Sequence, residues 1–534
     1  MLNNVKEAPF FAKGNGTDDD RLAIQMAIND AAADPAKAGI FFPAGTYRVS
    51  KVGTLPGETA KPCSLELNGV EDFMVTGEGP RSVVKLVNTT KRTGDWAVFL
   101  LRNKCGRIVF KDLAIDGNRT GLTRPDEHSY GIHVQTGTED VVIDRCILRE
   151  CFGDGLRLDG LGQNVKRLRI ENCLFQTNKR CGLSIQKDTE QIIIANCIFD
   201  ATVTDNSLDI EPTSRAAGPT DVLIQGCLIN HTNPTLAVHL SGISGPRPLV
   251  RCKFSDNIVL GGPILCADVN QLTIQNNIIH VTNPRFEKRI PVDVKLGGDS
   301  VIISGNLVID DRGAEAVIRL HEQNSRQVTR ALVANNLCIA RAKRGISCHG
   351  SDDVAIQGNL IVATGSCTEG IYLRSEGSPM ENISVRDNDI TAKDKGRWKA
   401  GIYVSASVPH HIGHFSLIGN SIRGAATGVE LDGSRFRQTP VWALNRIADD
   451  VTSAFAGIER LPEDSVVVGG ATSRGGTQFG GGRFIVGLGN PNRKGPGGVI
   501  GSVGDIFQRL DGIPGETLYV KETGNNTKTG WKAK

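Results

Sequence analysis

Neither sign of charge dominates this sequence of 534 residues: 61 Lys and Arg stand against 58 Asp and Glu, a formal net charge of +3. There is no Lys/Arg run either, so electrostatics recommends neither nucleic acid nor a membrane surface as a partner. No apolar run approaches the roughly 18 residues that a membrane-spanning helix needs. No secretory leader is visible, because the polar segment NNVKEAPFFAKGNG follows the first two residues, and synthesis in the cytoplasm is expected. None of the 13 Cys falls in a CxxC or a Cys/His metal spacing, so no resident metal and no cofactor are expected. Aromatic residues make only 5% of the chain against 62 Gly, a balance that suits many tight bends.

What the sequence does have is a repeat. Between Cys146 and Asn420 one phrase recurs eleven times, apolar residues, then Cys or Asn, then two apolar residues, as in VVIDRCIL, LRIENCLF, LTIQNNII and VAIQGNLI. The shared slot falls at Cys146, Cys173, Cys197, Cys227, Asn257, Asn277, Asn306, Asn336, Asn359, Asn388 and Asn420. Its mean step of about 27 residues is that of a solenoid. Each unit holds β-branched, period-two runs separated by Gly, Asn, Asp and Pro, with no stretch long enough for an amphipathic helix. Three short strands and three bends per unit predict an all-β chain, a right-handed parallel β-helix. Stacked Asn side chains can then bond the neighbouring coils, while Cys fills the slot as a small apolar residue. Parallel side chains on successive coils are badly placed for disulfides, so the thiols are expected to be free.

Ahead of the coils, GNGTDDDRLAIQMAINDAAAD predicts a helix of about 13 residues capped by Thr17 or Asp18, with Asp in its first turn. Leu22, Ala23, Met26, Ala27 and Ile28 form its apolar positions. AGIFFPAGTYRVS then reads as a strand, a turn at Pro43 to Gly45, and a second strand. The helix would cover the open end of the solenoid. The expected division is a cap at 1–50, the β-helix at 51–450, a Gly-rich linker at 451–497 and a small C-terminal β module at 498–534.

These segments carry two resemblances. The run from Gly14 to Val49, with the later IDGNR at 115–119 and SLDIEP at 207–212, resembles the pectate-lyase-like (pectate lyase 3) superfamily over roughly residues 1 to 450. That superfamily spans hydrolases, lyases, epimerases and phage tailspikes, so the resemblance implies the fold more than the reaction. The tail, with GDIFQRLDG, TLYVKE and TGW, is similar to the C-terminal segments of bacteriophage and prophage tail proteins. It implies a virion tail, or extracellular release without a secretory signal, and assembly as a homotrimer.

Function has to come from the site. Strand alternation, with Ile132 and Val134 inside, leaves His133 and Gln135 outside. The same reading of later coils puts outward Arg157 and Asp159, Ser184 and Gln186, Asp209 and Glu211, His239 and Ser241, and then Asp268. Asp209 and Glu211 should lie about 6.6 Å apart, His239 about 4.8 Å away, and Asp159 two coils earlier at about 9.6 Å, with Asp154 in the preceding bend. Such carboxylates fit the acid and base of a glycosidase, with inversion favoured by spacing. On this reading Asp209 or Glu211 is the acid and Asp159 the base, Asp154 lies beside them, and His239, Arg157, His133 and Gln186 bind substrate. The expected function is a polysaccharide depolymerase, a tailspike-like glycoside hydrolase. The alternative is a lyase or epimerase on an acidic glycan, for which Lys295, Arg319, His321 and His349 form a second file, with Asp268 and Asp293 as possible ion ligands. A third reading is a glycan-binding tail protein without catalysis.

Overall fold

A computed structural model describes residues 1–456 apart from 55–57, 93, 201–204, 213–217, 234, 243–247, 284–288, 376, 394–395, 407–409, 433–435, 437–440, 444 and 449; beyond 456 it describes 484–487, 492, 506–509, 518–523 and 527–533. The chain forms two compact units, Met1–Phe286 and Glu287–Lys534. Most of the expected Gly-rich linker lies outside the described residues.

The expected parallel β-helix is present. In the first unit each coil contributes three strands that pair in parallel with the coils before and after. Leu156–Asp159, Val165–Glu171 and Leu174–Gln176 make one such coil, paired onward to Leu183–Ile185, Thr189–Ala195 and Ile198–Asp200. The interior is a set of columns. Ile132, Leu156, Leu183, Leu208 and Val238 stack in one, all fully buried, and Phe175 lies flat on Phe199 at 4.7 Å. Each column therefore removes a continuous apolar ridge from water, at roughly 25 cal/mol per Å².

The bends explain the repeat. The residue just before every slot has a left-handed backbone: Arg145, Asn172, Asn196, Gly226, Asp256 and Asn276 in the first unit, and Gly305, Asn335, Gly358, Asp387 and Gly419 in the second. Gly, Asn and Asp tolerate this conformation best, which is why they crowd that position. In the second unit the slot amides Asn306, Asn336, Asn359, Asn388 and Asn420 each bond the next coil, and Asn445 adds a further rung that the sequence pattern did not reveal. All 13 Cys are free and buried.

The cap departs from expectation at its start. Asn15–Asp19 is a strand, and the helix α1 begins at Arg21 and runs to Ala33. Asp20 precedes it without a capping bond, because its carboxylate instead receives the N–H groups of Lys13 at 2.6 Å and Gly14 at 3.0 Å. No acidic residue occupies the first turn. Ile24, Ala27, Ile28 and Ala31 face the coils, whereas Leu22 and Met26 are exposed. Gln25 makes the cap specific: its amide accepts the Glu66 N–H at 2.8 Å and donates to the Glu66 carbonyl at 3.0 Å, standing in for the missing strand beside Cys63–Asn68. The strands Gly39–Phe42 and Gly45–Val49 form as expected.

In the second unit Phe484–Gly487, Ile506–Arg509, Leu518–Lys521 and Trp531–Ala533 form a separate four-stranded sheet, whose first strand falls inside the linker expected at 451–497 rather than after residue 498.

Candidate active site

The wall that carries the candidate residues is two columns wide. Register places His133, Arg157, Ser184, Asp209 and His239 in one column. Gln135 and Asp159 head the other, which Gln186 and Glu211 continue through backbone bonds to Leu158 and Ile185. The expected neighbours therefore hold, with one correction. Leu265 and Ala267 follow His239 and Ser241, so Asp268 is not in these files; it sits at a left-handed bend. A stack of glycines lets the strands start together, since a Cβ on Gly155 would sit 2.7 Å from the Gly182 carbonyl oxygen.

The second correction concerns solvent. Alternation predicts outward polar residues, yet Asp154 is fully buried and Gln186, Asp159, Asp209, His239 and Arg157 are 2 to 8% exposed. Buried charge has to be paired, and the pairs are specific. Arg180 grips Asp154 through two bonds of 2.7 and 2.6 Å, and the Ser184 hydroxyl donates to the same carboxylate at 2.6 Å. Arg157 reaches Asp159 at 3.3 Å and Asp154 at 3.8 Å. Asp209 receives the Asn206 amide at 3.1 Å and faces His239 Nδ1 at 3.1 Å.

Titration follows from this burial. Loss of solvent raises the Asp159 carboxyl above its ordinary value. Burial, with Asp209 close by, pushes Asp205 up to about 6. Burial and the nearby Arg157 hold His133 well below the usual imidazole range, so it is a neutral base at pH 7. Burial likewise raises Tyr130 and keeps its phenol protonated.

Tyr130 is a residue the sequence reading missed. Alternation from Ile132 and Val134 would send it inward, but Gly131 breaks the alternation. Its ring lies edge-on to His133 at 4.9 Å, under the Arg157 guanidinium at 5.3 Å, and its hydroxyl meets His128 Nδ1 at 2.8 Å. A Tyr directly before a glycine near the start of the strand Ser129–Gln135, YGIHVQ, was the available signal.

Asp209 and Glu211 gather with His239 on this wall. One donor atom each from Asp209, Glu211 and His239 lie within 4.8 Å of one another. Such a carboxylate pair is tighter than the roughly 6.5–9.5 Å that leaves room for the water of an inverting glycosidase.

Lys295 and Arg319 occupy the second unit. Arg319 binds Asp293 through two bonds of 2.8 Å, and Lys295 pairs in register with His321, then His349. The expected second file is therefore divided: Lys295, His321 and His349 share one column, whereas Arg319 lies in the neighbouring column with Asp293, which neutralises it.

With the fold and the wall described, the chain can be compared with known proteins. Residues 3–205 match the family described as "Rhamnogalacturonase A/epimerase, pectate lyase-like", and residues 264–441 the family described as "Periplasmic copper-binding protein (NosD)". The fold is pectate-lyase-like. Over 164 residues the chain is 33% identical to mannuronan C5-epimerase AlgE4 of Azotobacter vinelandii, covering 29% of this chain and 27% of that protein. It is 32% identical over 159 residues to alginate lyase 7 of the same organism, covering 28% and 17%. The chain thus spans about a quarter or less of the curated relatives it matches. Among solved structures, the N-terminal fragment of bacteriophage Phi29 gene product 12 aligns over 91% of this chain and 82% of that one, at 14% identity and a TM-score of 0.49.

Proposed function

We propose that this chain acts on a uronate-containing polysaccharide and removes the proton from the carbon beside the sugar carboxylate, the step that C5-epimerases and polysaccharide lyases share. One observation carries the reading: a buried cation, Arg157, lies against a phenol kept protonated, Tyr130, and that phenol against an imidazole kept neutral, His133. A proton next to a carboxylate leaves only if the developing enediolate is stabilised and a base stands in reach. Arg157 binds the carboxylate, His133 takes the proton, and Tyr130 supplies one, either to the opposite face of the carbon or to the departing glycosidic oxygen. The sequence relatives support this alternative over the hydrolase first expected. Hydrolysis keeps one observation in its favour, the raised Asp205 carboxyl beside Asp209. Location in a virion tail, and trimer assembly through residues 498–534, remain proposals that rest on the resemblance of the tail.

The test is incubation with mannuronan in deuterated buffer. Label at C5 without chain cleavage indicates an epimerase, and an ultraviolet-absorbing unsaturated end indicates a lyase. New reducing ends without that absorbance, or no change in the polymer, would overturn the reading. Tyr130→Phe and His133→Ala should each lower turnover by about a hundredfold or more with folding intact.

A further inference from the structure

We propose that His128 is a proton relay that returns a proton from solvent to Tyr130 during turnover; the inference rests on the reaction proposed above. Tyr130 is 4% exposed, so once its phenol gives up a proton it has little direct route to another. Its hydroxyl has one hydrogen-bond partner among the described residues, His128 Nδ1 at 2.8 Å. The other polar groups against its ring do not serve. Arg157 keeps its protons at any working pH, and His133, whose nitrogens face the Gln135 amide at 3.2 and 3.1 Å, is the group that takes a proton. His128 joins the phenol to water, because 41% of its side chain is exposed.

The chain fixes this imidazole without help from the phenol. The His128 N–H donates to Asp126 Oδ1 at 3.1 Å, and its carbonyl accepts the Trp96 N–H at 3.1 Å. The far nitrogen, Nε2, lies 3.7 Å from Glu127 Oε1, and Asp95 and Asp126 also border the ring. Glu127 and Asp95 are exposed, so the outer side of the imidazole stands among groups that exchange protons with water. With a proton on Nδ1, the ring donates to the phenol oxygen and leaves the phenol hydrogen free for the sugar. When the Tyr130 O–H bond breaks toward the sugar, the Nδ1–H bond breaks, a new O–H bond forms, and Nε2 takes a proton from water. Exchange of the exposed ring with solvent then restores the Nδ1–H form. The proton drawn from water equals the one that His133 releases, so the cycle balances.

The experiment uses the full chain with mannuronan in deuterated buffer, and reads turnover as C5 label or as the unsaturated end. His128→Ala and His128→Gln should each lower kcat by about tenfold or more, with KM changed by less than about twofold. Gln keeps a hydrogen-bonding side chain beside the phenol but cannot shuttle protons, so it separates a relay from a mere support. Free imidazole should restore His128→Ala in a saturable way and do nothing for Tyr130→Phe. Adding His128→Ala to Tyr130→Phe should cost no further activity, because the two residues act as one unit. A readout without glycan is nitrogen-detected NMR of the free protein, where the His128 Nδ1 signal should move in Tyr130→Phe. The inference is overturned by activity that His128→Gln retains, by failure of imidazole to rescue His128→Ala, or by a Nδ1 signal indifferent to Tyr130→Phe. An inactive wild type overturns the reaction and this inference with it, whereas an active wild type with unimpaired His128 variants overturns this inference alone.

Discussion

From Cys146 to Cys227 the bend slot holds thiols; from Asn306 to Asn445 it holds amides. Both meet the same neighbour. Cys173 Sγ lies 3.4 Å from the Ile143 carbonyl and Cys197 Sγ 3.5 Å from that of Ile170. Asn336 Nδ2 lies 2.9 Å from the Ile303 carbonyl, the same place in its own coil. The amide does more, because its Oδ1 also receives the slot N–H of the coil before, as Asn359 does for Asn336 at 3.0 Å. A thiol fills the space and donates weakly. The solenoid thus shows that shape is the first requirement of the slot and hydrogen bonding the second.

The comparison breaks most sharply at an amide. Asn359→Ala should orphan the Asn336 N–H and the Val333 carbonyl, which the amide serves at 2.9 Å. At about 1–3 kcal/mol for each buried group left unpaired, the loss should be about 3 kcal/mol, read as a lower urea midpoint. A loss below about 1 kcal/mol would mean that water replaces the amide.

Acid should not distinguish the two stretches, since no ladder residue titrates between pH 4 and pH 7. Burial holds His231 down to about 4 in the first unit and His349 to about 3 in the second. Below about 6.5 the unfolded imidazoles bind protons that the folded ones refuse, so stability is full above that pH and falls as pH drops toward these values. For His231 the loss should reach about 2 kcal/mol by pH 5. Urea titrations at both pH values would expose a flat profile, which would contradict it.

The junction sharpens the comparison further. Asn257 receives the Cys227 N–H at 2.9 Å and donates to the Ile224 carbonyl at 3.1 Å. Asn257→Cys should cost about 1 kcal/mol less than Asn257→Ala, because sulfur fills the slot and touches both groups. Equal costs would mean that the thiols merely occupy space.

The smallest effect is none. A reductant should leave the melting temperature unchanged, since all 13 thiols are free. Burial also pushes Cys252, Cys338 and Cys348 up to about 12, so alkylation should wait for unfolding.

The coil, its slot and the columns Asp209 to His239 and Asp159 to Glu211 were legible in the sequence because strand alternation and a constant step determine them. Alternation reports the side on which a residue lies, not whether its neighbours cover it. For that reason Arg157, Asp159 and Gln186 were read as exposed and are buried. Tyr130 was missed altogether, while Asp268 and the helix start were misread where a left-handed residue or a carboxylate engaged elsewhere broke the period. The left-handed residue before each slot was in plain view as Gly, Asn or Asp, with Arg145 the exception that hides it.

A stack of near-identical rungs can close one step out of phase and still satisfy most of its bends, because every coil ends in the same backbone turn. The first unit carries a safeguard against such slippage. At Cys227 the main chain stops facing sulfur and meets Asn257 Oδ1 instead. A chain displaced by one rung would set this amide against the wrong coil, leaving one polar group unmatched on each side. The thiol-to-amide boundary is therefore expected to work as an index mark, a place where a growing solenoid tells a correct count from an incorrect one.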